Sequence, residues 1–567
     1  MDFKKLTAQA RGEMKSDFVI KNALIPNVFS YEIEEGDVAV SDGLIVGVGK
    51  DYHGETEIDA GGKYIVPGFI EGHCHIESTM LTPQGFAELV IPHGTTTVFA
   101  DPHEIANTSS IEGLHAMHEA TQGLPIDIFL NAPSCVPASS FETPKEPLFA
   151  DSLMKIIGDG TCYALGEMMN WPGVIYGDGD TWEKIAASSE IPCNGHAPCI
   201  VGKDLNAYML SRCNSDHESS SLAEAGDKLR RGSWVMMRQG ATEHNLDDLA
   251  PLVTADERRA SRCMLVSDDL TAAVLYNEGH LDRILRLAVK CGISPVSALR
   301  MVTLNVAEFN RMYDRGAIAP GYRADMLMLD DLKDFNVVKI WKDGKTVTVP
   351  EGGFPRTHGW PGVSQVSQDV SADDIRVPYE EGKKLRAIGI VPGQVVTGEV
   401  MVDGVVENGE YVASVEQDLA KMCVINRNTP EKRIGLGFAK GFGLKRGAIG
   451  QSVAHDAHNF VIAGMDDVSM LTAYEALRKE GGVAVADGDK VLYHLPLPIA
   501  GLMSDKSAPE LLEAFARVLD AAKSLGTPLP NPYMTMSFLS LSVIPQLKLT
   551  DQGYVDLARG GIMPLCE

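Results

Sequence analysis

Residues 67–80 read PGFIEGHCHIESTM, and His73 and His75 within them are spaced to do chemistry. The apolar run Tyr64-Ile65-Val66 leads in as a short buried strand, and Pro67-Gly68 marks its exit towards a loop. Two residues apart on an extended backbone, the imidazoles point to one face and Cys74 to the other. Two imidazoles at a strand end can hold a metal ion. An isolated H-x-H is more often a pair of polar loop histidines, so the rest of the chain has to decide.

Histidines and acids recur directly after later apolar runs. They appear as Asp101-Pro102-His103-Glu104, Gly166-Glu167, Asn194-Gly195-His196, Asp216-His217-Glu218, Arg238-Gln239-Gly240 and Ser267-Asp268-Asp269. Loops after strands are polar anyway, but that does not explain a histidine or an acid after nearly every one. His73, His75, Glu167, His196, His217 and Asp268 together suit a two-metal site. Nitrogen and oxygen ligands without thiolate fit Mn(II), Fe(II) or Zn(II). The two oxygens of Glu167 can bridge two cations, and cations about 3.5–4 Å apart make a shared water nucleophilic at neutral pH. Asp268, if it ends the last strand, stands beside that water and can take its proton. Asp269 is the competing choice, turned the other way on an extended backbone.

The elements that must position these residues alternate short strands with helices over about residues 67–314, as parallel βα units do. That length suits a (β/α)8 barrel, whose strands share one mouth at their C-terminal ends. Eight candidate strands lie around Ile65, Thr95–Ala100, Ile126–Asn131, Cys162–Leu165, Ile191–Asn194, Arg212–Ser215, Trp234–Met237 and Cys263–Val266. Residues 294–310 read as helices closing the barrel. Residues 1–66 and 315–360 share a different texture, apolar runs separated by turns such as Asp42-Gly43 and Asp343-Gly344. They read as one small β-domain interrupted by the barrel, with residues 1–16 an arm or first helix. Residues 361–384 read as a linker, and 385–567 as a C-terminal α+β domain with an amphipathic helix from Ala508 to Leu525. The fold class is α/β.

Composition bounds the function. At 567 residues the chain needs more than one core. A formal net charge of −27 with no basic run argues against nucleic acid and anionic membranes as partners. No 18-residue apolar run and no cleavable N-terminus is visible, so neither a membrane span nor secretion is expected. The ten cysteines are scattered without a C-x-x-C, which suits a reducing cytoplasm and not a disulfide framework. A homo-oligomer, dimer or larger, is the expected assembly.

The pattern resembles the amidohydrolase superfamily: H-x-H after strand one, a bridging residue after strand four, His after strands five and six, Asp after strand eight, and a β-domain split around the barrel. Within it, PGFIEGHCHIESTM, PHGTTTVFADPHEIAN, LGEMMNWPGV, NGHAP, SDHES and SDD are similar to the bacterial adenine deaminase family. KGFGLKRGAIGQSVAHDAHNFVIAG, residues 440–464, resembles that family's C-terminal domain, which other amidohydrolases lack. The resemblance implies adenine as substrate, hypoxanthine and ammonia as products, a place in purine salvage, and two Mn(II) or Fe(II) ions. It also implies that Glu167 stands where many relatives carry a carboxylated lysine, and that His217 and Asp268 serve both metal and chemistry. Attack on C6 of adenine calls for a proton at N1. Glu77, four residues past His73, is the candidate donor, or else the brace of a ligand histidine. The alternatives are another amidohydrolase reaction on a cyclic amide or pyrimidine, and a non-catalytic binding protein.

Weaker signals remain. His75-Ile-Glu77 matches the H-x-E of cytidine-type zinc deaminases, but their P-C-x-x-C is missing. Asp101, His103, Glu104, Arg238 and Asp269 are candidate substrate contacts. The glycines from Gly435 to Gly450 fit no phosphate-binding motif and read as turns between strands. His455 and His458 form a second metal pair, or dock over the barrel mouth, or are ordinary polar packing. With no third ligand near them in the sequence, packing is favoured.

Overall fold

The computed structural model describes residues 2–241, 244–363, 368–391, 396–544 and 546–567. Eight parallel strands form the barrel: Phe69–Cys74, Thr95–Ala100, Asp127–Ala132, Ala164–Met168, Cys193–Gly195, Ser215–Asp216, Trp234–Arg238 and Cys263–Val266. The first five pair in sequence order, and so do the last three. Two joints complete the circle. Gly195 donates its N–H to Ser215 Oγ at 3.0 Å, and Asp268 donates its N–H to His73 O at 3.0 Å. Gly195 has to be glycine, because a Cβ there would stand 2.1 Å from Ser215 O. Thr95–Ala100 is buried at every position, as expected of a strand covered on both faces.

Two expectations need correction. The run at Ile65 is not the first barrel strand. Tyr64–Pro67 belongs to the small β-sheet, and the barrel strand begins after Gly68 and carries His73 within it. Pro67-Gly68 therefore marks a passage from sheet to barrel and not an exit to a loop. Two of the cysteines are also not free: Cys193 and Cys213 form a disulfide with Cα atoms 4.6 Å apart. The reason is register, since strands five and six are neighbours and bring residues 20 apart in sequence side by side. The other eight cysteines are thiols.

The small sheet draws on both ends of the barrel segment. Tyr64–Pro67 pairs antiparallel with Met326–Leu329, and the sheet runs on through Ser16–Pro26, Ile33–Ser41 and Leu44–Gly49 on one side. Val337–Lys342 and Lys345–Thr346 extend the other side. Asp42-Gly43 and Asp343-Gly344 turn its hairpins with left-handed backbone, φ 50° and 77°, then 50° and 72°. Phe3–Ala10 is a helix capped by Asp2.

Beyond the barrel, an eight-stranded sheet runs from Leu385–Ile390 to Lys490–Leu495, with helices Asp467–Glu480, Ala508–Ser524 and Pro532–Phe538. The glycines read as turns are partly strand residues. Gly435 and Gly437 lie within Ile434–Lys440, where a Cβ would strike Thr550 O or the Tyr554 ring. Residues 364–367 of the linker lie outside the described residues. Apolar side chains of the barrel and of the C-terminal sheet form one continuous core cluster, so the mouth of the barrel is covered. Among the described residues, no helix is long and apolar enough to cross a membrane.

Candidate active site

Each barrel strand delivers its side chain where the regular ladder stops. His73 and Glu167 sit in the last turns of strands one and four. His75, His196, His217 and Asp268 follow strands one, five, six and eight within two residues. All six are nearly fully buried.

The centre of the arrangement is Glu167. Its Oε1 lies 3.9 Å from His73 Nε2 and 3.5 Å from His75 Nε2. Its Oε2 lies 2.8 Å from His196 Nδ1 and 3.3 Å from His217 Nε2. One carboxyl oxygen thus faces each histidine pair. Asp268 Oδ1 closes the first group, 3.4 Å from His73 Nε2 and 3.2 Å from His75 Nε2. Its other oxygen takes a hydrogen bond from Arg238 at 2.6 Å.

The donor set was tested for fit to a divalent cation. His73, His217 and Asp268 offer ligand atoms within 4.8 Å of one another, and so do His73, His75 and Glu167. His73 Nε2, which faces Glu167 and Asp268, is buried without a hydrogen-bond partner, a costly state that a cation relieves. His75 Nδ1 stands 3.0 Å from Asp101 O. Donating there fixes the tautomer and leaves Nε2 as a lone pair facing the site. Electrostatics agree. Burial opposes charge on Glu167, yet the surrounding histidines hold its carboxyl well below the usual range. Burial likewise opposes the charge on His217, but Glu167 and Asp268 raise it to about 9.

The backbone that carries these ligands is braced from behind. Glu71, fully buried, accepts the N–H of His73 at 3.0 Å and of Ser267 at 3.2 Å, and faces His280 Nε2 at 3.1 Å. Asp101 Oδ2 accepts the N–H of Glu167 at 2.7 Å. Lys228 Nζ reaches Ala197 O at 2.6 Å and Asp216 Oδ2 at 2.8 Å, tying together the loops that carry His196 and His217. Glu71 and Lys228 are missing from the sequence reading. Glu71 shares the strand face of His73, which is a usable signal; Lys228, on a helix, gives none.

The candidate substrate contacts divide. The cavity beside the six candidate ligands is walled by His103, Arg238 and Asp269, and also by Glu218, His455, Asp456 and Phe538. Arg238 pairs with Glu218 at 2.5 Å as well as with Asp268. Asp269 accepts a hydrogen bond from Ser78. Asp101 and Glu104 are buried off the wall. Glu77 is off it too, because the strand does not continue: Glu77–Thr79 is a 3-10 turn. Glu77 Oε1 accepts the N–H of Ile105 at 3.3 Å. Burial and then the neighbouring Glu104 push its carboxyl well above the usual range.

The third ligand that His455 and His458 lacked in sequence is Glu104, and the three offer atoms within 4.8 Å. The tautomer decides against a metal there. Ala454 donates its N–H to His458 Nδ1 at 3.0 Å, while burial and then His455 keep the ring neutral. Nε2 therefore bears the proton and is a donor, which leaves polar packing for His458, while His455 docks over the mouth in the cavity wall.

Comparison with known proteins matches this architecture. A sequence model of the amidohydrolase family covers residues 64–347, and the chain belongs to that family. A second model, the adenine deaminase C-terminal domain, covers residues 394–560. The adenine deaminase 2 of Carboxydothermus hydrogenoformans is 42% identical over 571 residues, 99% of each chain. The adenine deaminase of Desulfatibacillum aliphaticivorans is 42% identical over 573 residues, again 99% of each. That of Geobacillus kaustophilus is 40% identical over 569 residues, 98% of each. Within the amidohydrolases, the chain is a member of the adenine deaminase family.

Proposed function

We infer that this enzyme hydrolyses adenine to hypoxanthine and ammonia, with two divalent cations, Mn(II) or Fe(II), held by His73, His75, Glu167, His196, His217 and Asp268. The observation that carries this reading is Glu167, whose two oxygens each face a different histidine pair. When bound, the cations supply Lewis acidity and a water acidic enough to be a nucleophile at neutral pH. The remaining steps fall to the chain. Asp268, held ionised chiefly by Arg238 against the cost of burial, accepts the proton of the attacking water. Arg238 fixes the direction of that carboxylate. Glu77 holds the proton that N1 of the base needs. The cytoplasm, which keeps thiols reduced, is the proposed setting for a chain with eight free cysteines.

The test is to load the protein with Mn(II) and offer adenine, adenosine, cytosine and dihydroorotate, following each by absorbance. Turnover of adenine with release of ammonia is expected. Turnover of cytosine or dihydroorotate in its place would assign the site to another amidohydrolase reaction.

A further inference from the structure

We propose that Asp456, from the C-terminal domain, accepts the N9–H of adenine and so selects the free base over its nucleoside. This inference rests on the adenine reading above. Asp456 is 2% exposed and lies in the cavity wall. Its Oδ1 stands 3.4 Å from His103 Nε2 and 3.7 Å from His455 Nδ1. Its Oδ2 is buried with no hydrogen-bond partner. The backbone beneath it is pinned from the barrel: Glu142 Oε2 accepts the N–H of Asp456 at 3.3 Å and of Ala457 at 3.0 Å. A rigidly held acceptor without a partner, beside a cavity, calls for a donor from the ligand.

The chemistry of the base identifies that donor. Adenine has two kinds of N–H, the exocyclic amine and the imidazole-ring nitrogen. The amine leaves from C6 and must lie at the metal ligands. Asp456 is separated from those ligands by a whole imidazole: His103 Nδ1 is 3.8 Å from Glu167 Oε1, and its Nε2 faces Asp456. N7 lies on the C6 side of the purine and N9 on the far side, so N9–H is the one to reach Asp456. In a nucleoside this hydrogen is replaced by a sugar. The cavity is also lined by Phe538, Leu541, Val543 and Ile544, apolar side chains that can cover the faces of a purine ring. A site built to bond a substrate N–H rejects analogues lacking it by factors of about 10⁴–10⁵.

The experiment compares ligands that differ only at N9. The kcat/KM for adenine is measured alongside inhibition constants for hypoxanthine and 9-methylhypoxanthine, in the holoenzyme and in Asp456→Ala and Asp456→Asn, with metal content checked. Wild type should bind hypoxanthine far more tightly than its 9-methyl analogue. Asp456→Ala should weaken hypoxanthine by roughly 10- to 100-fold and leave 9-methylhypoxanthine unchanged, which collapses the ratio. Asp456→Asn, whose amide oxygen still accepts, should restore part of it. Equal loss for both ligands in both variants, or no preference in wild type, overturns the proposal. Failure of wild type to turn over adenine at all would instead remove the underlying function.

Discussion

At the scale of single residues, the site turns on charge balance. Glu167→Gln keeps the shape but loses the charge that offsets two dications. Elemental analysis should show metal content lowered by half or more, with turnover lost in parallel; full occupancy would refute a bridging role. Glu77→Gln separates two ideas. A proton donor predicts intact metal and lost turnover, and a brace predicts lost metal. The cluster of candidate ligands could be read from sequence because H-x-H and the strand-end histidines are spaced by the strand itself. Asp456 could not be placed that way. Its acceptor role depends on a fold that brings residue 456 against residue 103, and no spacing rule spans that distance.

At the scale of elements, Lys228 shows how a helix can brace a candidate metal site that it does not touch. Its ammonium is buried among Ala197 O, Asp216, Glu224 and Ser219, and burial is outweighed by the charges of Asp216 and Glu224, so its pKa is raised. Lys228→Met leaves those carboxylates unpaired and should cost about 3–5 kcal/mol in chemical denaturation. It should also weaken metal retention, because the loops carrying His196 and His217 lose their tie. Wild-type metal affinity in the variant would show the tie to be idle. Most strands were legible from apolar runs bounded by turns. The first barrel strand was misplaced because Tyr64–Pro67 and Phe69–Cys74 are two buried strands separated by a single glycine, and only the first is a continuous apolar run. Periodicity cannot tell which sheet each one joins.

At the scale of the whole molecule, Glu142 couples the barrel to the C-terminal domain. Burial, reinforced by Asp456, pushes its carboxyl up to about 8. The native state therefore holds a proton that the unfolded chain gives up near pH 4.5. Stability from this group is complete below that pH and is lost as pH rises through about 8. Denaturation midpoints should fall over this window, and Glu142→Gln should flatten the decline. An unchanged slope in the variant would assign the decline to other groups. A chain ended near residue 380 should be inactive and poorly soluble, since it strips about a third of a shared core and the wall bearing Asp456. The existence of a C-terminal domain was legible from its strand-like runs. Its docking on the mouth was suggested by the Gly-rich, His-bearing stretch 440–464; which of its side chains line the cavity depends on side-chain complementarity, which sequence patterns do not encode.

The small sheet has a further consequence, for the order in which the chain can fold. Lys63 and Asp330 are 267 residues apart and meet across this sheet. A chain emerging from the ribosome can assemble Ser16–Pro26 with its hairpin partners early. Tyr64–Pro67, however, waits for Met326–Leu329, and until the barrel has been made its outer edge presents unpaired amides and carbonyls. Closing so long a loop is slow. Newly made protein should therefore pass through a lasting intermediate with an open edge, and the yield of folded enzyme should depend on chaperones that cover such edges.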